Sequence, residues 1–194
     1  LEGARQNYQL MGIVQKVPFN KSLDSLRNAD KSQYRVFDNI FSTFNDATAS
    51  YFLNSIGGYH GAKLHNFQDV IDVYFSGTEK TKQLGINGQV DMQKILNLLN
   101  TKYTVYGNPG TTMIQPNPED LGNAWLASDV QYARNANEEI LALKDVNLRR
   151  TVILRENFNQ NLEADSLSSI QLTDYRPDRL TYEVNVHSPK IAVF

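Results

Sequence analysis

The chain has 194 residues, a formal net charge of −2 and no cysteine. That length suits one domain with its own core, and such weak, interspersed charge excludes the concentrated basic surface that nucleic-acid phosphates demand. Thiol catalysis and disulfides are excluded as well, and no stretch approaches the roughly 20 apolar residues of a membrane span.

The opening "LEGARQNYQLMG" lacks the basic start and apolar run of a secretory signal. If the chain is a piece of a longer parent, its targeting segment is expected there. The first thirty residues are weakly patterned, with Leu10, Ile13, Val14, Val17 and Phe19 as the apolar points, and "SLDSLRNAD" within them predicts a short helix capped by Ser22 and ending near Ala29. "YRVFD" alternates and is rich in β-branched and aromatic types, which predicts a strand over 34–38. Asn45 and Asp46 offer caps for a short helix through "ATASYFLN".

From Ala62, the apolar positions Leu64, Phe67, Val70, Ile71, Tyr74 and Phe75 recur at helical spacing and define one inward face. Gly77 stands where a helix-ending glycine belongs. "TEKTKQLGINGQ" reads as a polar loop, and Asp91 caps a helix with Ile95, Leu96, Leu98 and Leu99 inward. "KYTVYG" is a strand. Residues 107–123, with three Pro, three Gly and three Asn, read as a long irregular loop, a kind that is usually functional or mobile.

"AWLASDVQYA" reads as a strand passing into a loop. "ANEEILALK" is a helix capped by Asn135 or Asn137, with its acidic residues early, as the helix dipole favours. "RRTVILREN" is a strand, and "SIQLTDY" and "RLTYEVNV" form a hairpin about Arg176-Pro177-Asp178. "KIAVF" reads as a strand cut short within a larger sheet. The expected architecture over 1–194 is a single α+β domain. It has a mixed or antiparallel sheet of about seven strands, three to four helices and a C-terminal hairpin.

The run Gly57-Gly58-Tyr59-His60-Gly61 places three glycines in five residues, each costing about 0.5–1 kcal/mol relative to alanine in regular structure. Its spacing does not fit the P-loop, where Leu64 would also replace the magnesium-binding hydroxyl, and the dinucleotide fingerprint G-x-G-x-x-G is absent. Glycines before a helix still present backbone N–H groups to an anion, and Lys63 lies beside them. A structural hinge and a substrate contact through Gly57, Gly58, Tyr59, His60 and Lys63 both stay open, the hinge being the commoner outcome.

A metal site is not expected. His60 and His65 are five positions apart, about 140° around a helix, where zinc pairs need one face. No nucleophile elbow is present; carboxylate pairs occur at Asp69/Asp72 and Glu138/Glu139, and Asp69 and Asp72 read as solvated charges, not a glycosidase dyad. No cofactor is implied. Ten tyrosines, Trp125 and many amide side chains could form a sugar platform, against the ordinary use of aromatics as cross-strand partners.

The order of segments carries a resemblance. "YRVFD", "FNDATASYFLNSIGGYHGAKLHNFQDVID", "ILNLLNTKYTVY", "GNAWLASDVQYARNANEEILALKD" and "LTDYRPDRLTYEVN…KIAVF" resemble the large extracytoplasmic region of YfhO-type bacterial membrane proteins, in the form found in Bacteroides-like bacteria. The likeness covers roughly residues 17–194, and "SIGGYHGAKL" and "LLNTKY" match most closely. It implies a polytopic parent grouped with glycosyltransferases that move a sugar from a polyprenyl-phosphate donor to an envelope polymer. Its catalytic acids would lie in an early membrane-proximal loop outside this chain, and a further strand would follow "KIAVF". The implied partners are the parent's own transmembrane bundle and a lipid-linked sugar or envelope glycan.

Overall fold

The computed structural model describes residues 21–59, 61–86, 90–108, 111–156 and 161–194. Helix α1 (Lys21–Ala29) has Asp24 early and Arg27 late, as its dipole prefers, and buries Leu23. Ser22 lies inside this helix instead of ahead of it. Strand β1 (Arg35–Asp38) runs parallel to β2 (Thr101–Asn108), which pairs antiparallel with β3 (Thr111–Pro116). Ser55 bridges the other side of β1: the Val36 N–H donates to the Asn54 carbonyl at 2.8 Å, and the Ile56 N–H to the Val36 carbonyl at 3.0 Å.

The alternation expected of β1 is lost because both faces of this small sheet are covered. Val36 packs with Leu23, Tyr34, Leu53 and Val105, whereas its neighbour Phe37 packs on the opposite side with Ile56 and Leu96. Strand β3 occupies part of the segment read as irregular loop. The Pro-Gly pair at 109–110, a turn dipeptide, was the available signal; those two residues lie outside the described ones. A single 3₁₀ turn, Thr48–Tyr51, replaces the short helix expected there, and the Asp46 carboxylate accepts from the Thr48 N–H at 2.7 Å.

Helix α2 (His65–Val70) runs on into a π-helical turn, Ile71–Phe75, closed by the Ser76 N–H on the Ile71 carbonyl at 2.9 Å. The wider turn brings Ile71, Val73 and Tyr74 inward together, which a 3.6-residue count does not predict for Val73. Leu64, expected on the inward face, precedes the helix and is 79% exposed. Gly77 ends the run at φ 57°. Helix α3 (Glu79–Gln83) forms where a loop was expected, because Glu, Lys and Gln are good helix formers between the flanking glycines.

Asp91 caps helix α4 (Met92–Leu98) by accepting from the Gln93 N–H. The stretch around Trp125 splits into β4 (Trp125–Ala127) and β5 (Asp129–Tyr132), which join different sheets. The split falls at Ser128, where the N–H groups of Ser128 and Asp129 both bond the Arg150 carbonyl at 2.9 Å. Helix α5 (Ala136–Asp145) crosses from β5 to its parallel neighbour β6 (Thr151–Leu154). Asn135 caps it through the Glu138 N–H, and Glu138 reaches back to the Arg134 N–H at 2.9 Å, a reciprocal arrangement that satisfies two donors of the helix start.

Strands β7 (Ser169–Arg176) and β8 (Arg179–Asn185) form the expected hairpin, and β9 (Ile191–Val193) pairs antiparallel with β4. The fold is α+β, as the sequence predicts. The described residues hold five helices and nine strands, and the strands divide among four small sheets instead of one.

Candidate functional site

The glycine run is fixed by its neighbour. A Cβ on Gly57 would run into the Thr43 carbonyl, so the chain passes that backbone more closely than any other residue allows. Gly58, at φ 126°, donates its N–H to the same carbonyl at 2.7 Å. Lys63 does not point its charge into open space: its ammonium donates to the Phe44 carbonyl at 2.7 Å and sits 5.9 Å from the centre of that ring. Tyr59 is 77% exposed. His60 lies outside the described residues. The structure thus brings Gly57, Gly58 and Lys63 together on the 43–44 backbone as a hinge and leaves Tyr59 displayed beside them.

The acidic pairs are engaged, which corrects the reading of Asp69 and Asp72 as solvated charges. Asp69 is bonded by Lys80 and lies 3.7 Å from His65, and Asp72 accepts from Gln68 at 2.8 Å. Glu138 is held below the usual carboxylate range, first by the Arg134 backbone N–H, and Glu139 meets Arg155 at 2.8 Å. Arg149 and Arg150 likewise face Glu119 and Asp129, so the arginines around β6 make no basic patch. Tyr74 donates to the Ile140 carbonyl at 2.7 Å, and burial pushes its hydroxyl up to about 12. Among the described residues, no group of three or more histidine and acidic side chains could hold a metal ion.

Two clefts meet at Trp125. One, of about 520 Å³, is mostly apolar and lies between α2, α5, β6 and β9. The other, of about 710 Å³, lies between the β7–β8 hairpin and the β1 and α4 ends of the body. Trp125, Leu98 and Phe194 line both and form the partition. The Trp125 indole N–H is buried and finds no hydrogen-bond partner among the described residues, which costs about 1–3 kcal/mol.

The hairpin's register sets out one apolar face, of which Tyr175, Leu180 and Tyr182 line the second cleft. Ile170 faces Val184, Leu172 faces Tyr182 and Tyr175 faces Leu180, while the intervening pairs are polar. An irregularity between Leu172 and Asp174 inserts one extra residue. That bulge keeps Tyr175 on the apolar face, which strict alternation from Leu172 would deny it. The sequence singles out Trp125, with the tyrosines and the amides only as classes, and does not pick out Gln33, Asn54, Asn100 and Asn123 across the cleft. These four come from separate loops and helix ends, so no local spacing links them. No protein-family model, curated protein or solved structure matches the chain.

Proposed function

We propose that this chain is the extracytoplasmic domain of a membrane-embedded, YfhO-type glycosyltransferase-like protein. That protein transfers sugar from a polyprenyl-phosphate donor to a cell-envelope polymer, and its catalytic centre lies elsewhere in the parent. The observation that carries this reading is the chain-long order of segments from "YRVFD" through "SIGGYHGAKL" and "LLNTKY" to "KIAVF". Support comes from the engagement of the ionisable groups near the glycine run. Lys63, Asp69 and Lys80 are spent on structural contacts, which suits an accessory role better than chemistry. No described helix is long and apolar enough to cross a membrane, so any anchoring belongs to other segments of the parent.

Within this reading, the run Gly57, Gly58, Tyr59, His60 and Lys63 forms the contact with donor or acceptor, Gly57, Gly58 and Lys63 by shaping the loop on the 43–44 backbone and Tyr59 as the displayed group. The test is envelope glycosylation in cells carrying the full-length protein with Tyr59→Ala, His60→Ala or Lys63→Ala. A contact role predicts loss of the glycan at normal protein level; unchanged glycosylation in all three removes the role from this loop. A parent gene without membrane spans flanking this region would overturn the whole reading. The second reading is a non-catalytic structural or glycan-binding module, and the aromatic and amide side chains beside Trp125 favour it.

A further inference from the structure

We infer that the cleft between the β7–β8 hairpin and the body is an oligosaccharide-binding site, with Trp125, Tyr175 and Tyr182 as its aromatic walls. Its volume, about 710 Å³, lies within the roughly 300–1,000 Å³ range of small-molecule sites. Sugars present flat C–H faces edged by hydroxyls, so they bind where aromatic rings adjoin groups that both donate and accept hydrogen bonds. Amide side chains do both, and Gln33, Asn54, Asn100 and Asn123 supply four of them along the opposite wall.

Two of the four amides, Asn100 and Asn123, are pre-arranged on each other and on the Gln33 backbone carbonyl. The Asn100 side-chain N–H₂ donates to the Gln33 carbonyl and to the Asn123 side-chain oxygen, both at 3.1 Å, and the Asn123 N–H₂ donates to the Gln33 carbonyl at 2.7 Å. This network holds the cleft floor in one geometry before any ligand arrives, which lowers the ordering cost of binding. Asn54 is exposed at the rim.

The lining also says what the cleft does not do. Among the described residues, Arg35 is the one charged side chain that lines it, and no Asp, Glu or His side chain does. Glycoside cleavage needs a pair of carboxyl groups about the bond, so this cleft binds a glycan without cutting it. With so little charge, affinity should depend weakly on salt. A peptide ligand of the same size would leave the amide network opposed to side chains of mixed character, whereas repeated hydroxyls match it along its length. Taking the glycan from the cell envelope rests on the reading above; the chemistry of the cleft does not.

The test uses the 194-residue chain and a panel of defined oligosaccharides built from hexoses, pentoses and N-acetylhexosamines. Trp125 is the single tryptophan of the sequence and borders both clefts, so its fluorescence reports on binding at either, and substitutions at Tyr175 and Asn54, which line only the hairpin cleft, assign the signal. At least one sugar class should shift that emission saturably, with little change between low and high salt. Tyr175→Ala and Asn54→Ala, both at exposed positions, should each weaken the binding about fivefold or more with unchanged circular dichroism. Absence of a saturable shift across the panel at millimolar sugar overturns the assignment, as does binding that both variants leave intact. If the sugars bind as described while envelope glycosylation proves independent of the parent protein, the functional reading fails and the site stands.

Discussion

The β1–β2–β3 sheet and the β7–β8 hairpin use strands of similar composition to opposite ends. In the first, successive residues of β1 are buried on opposite faces, and the sheet is sandwiched between two apolar clusters. In the second, the face made by Ile170, Leu172, Tyr175, Val184, Tyr182 and Leu180 is covered incompletely, and Tyr175, Leu180 and Val184 stay about half exposed. A two-stranded ribbon is marginal by itself, and this one is held by a polar clasp. Asp165 accepts from the Ser168 N–H at 2.6 Å and from the Ser188 hydroxyl, and lies 3.0 Å from the Lys190 ammonium. Strength in the first region comes from burial, and position in the second comes from hydrogen bonds at its root. An element fastened that way can keep an apolar face open toward a ligand.

The largest effect is expected where the first region is tightest. Gly57→Val would drive a branched side chain into the Thr43 backbone. It should cost on the order of 3 kcal/mol or more, because backbone cannot move aside as a side-chain tip does. Thermal unfolding followed by circular dichroism measures it; a variant melting like the parent would show that the Thr43 approach is not obligatory.

Next comes Asp30, which ties α1 to β2. It accepts from the Tyr103 hydroxyl at 2.8 Å and the Ser32 hydroxyl at 2.6 Å, and meets Lys102 at 2.7 Å. Burial alone would raise its pKa, but the bonds from Lys102, Ser32 and Tyr103 outweigh it and hold the carboxyl well below the usual range. A depressed carboxylate contributes stability above its unfolded pKa, near 3.9, and loses it as pH falls. Asp30→Asn should therefore cost about 1–3 kcal/mol at pH 7, and the gap from the parent should close below about pH 4. A pH-independent difference in urea unfolding would assign the cost to shape and not to charge.

A smaller and more local change is expected at the clasp. Asp165→Ala should speed amide exchange in β7 and β8 about tenfold, while Val36 and Val105 keep their protection. Equal acceleration in both regions would mean that the hairpin and the β1–β2–β3 sheet open as one unit, contrary to the contrast drawn here.

The same contrast explains what was legible in the sequence. Local chemistry was readable: Asp91 and Asn135 cap their helices, Gly77 ends the α2 run, and Pro177-Asp178 turns the hairpin. Each of these depends on residues within a few positions of one another. What was lost depended on partners far along the chain. The alternation of β1 vanished because α1 covers one face and α4 the other. The strand through Trp125 broke because the Arg150 carbonyl, more than twenty positions on, captures two N–H groups. For the candidate site, Trp125, the tyrosines and the amides stood out as types, but which four amides form the wall was set by tertiary placement alone. The glycine run was rightly tied to backbone shape, and Thr43, the residue that imposes it, lies fourteen positions earlier.

The smallest expected effect is a gain. Thr101 begins β2 in the centre of the buried sheet, fully enclosed, and its hydroxyl finds no hydrogen-bond partner among the described residues. Valine has nearly the same shape and the same β-branching, and replaces the orphaned oxygen with a methyl group suited to its surroundings. Thr101→Val should raise stability by about 1 kcal/mol, seen as a higher urea midpoint at unchanged slope. Thr101→Ser keeps the hydroxyl and removes the methyl, so it should lower the midpoint by a similar amount. The matching exchange on the hairpin, Thr181→Val at an exposed position, should stay within about 0.5 kcal/mol of the parent. A loss of stability in Thr101→Val would mean that a buried water satisfies this hydroxyl. The central strand of the β1–β2–β3 sheet would then depend on a hydrogen bond at its first residue, as the hairpin does at its root.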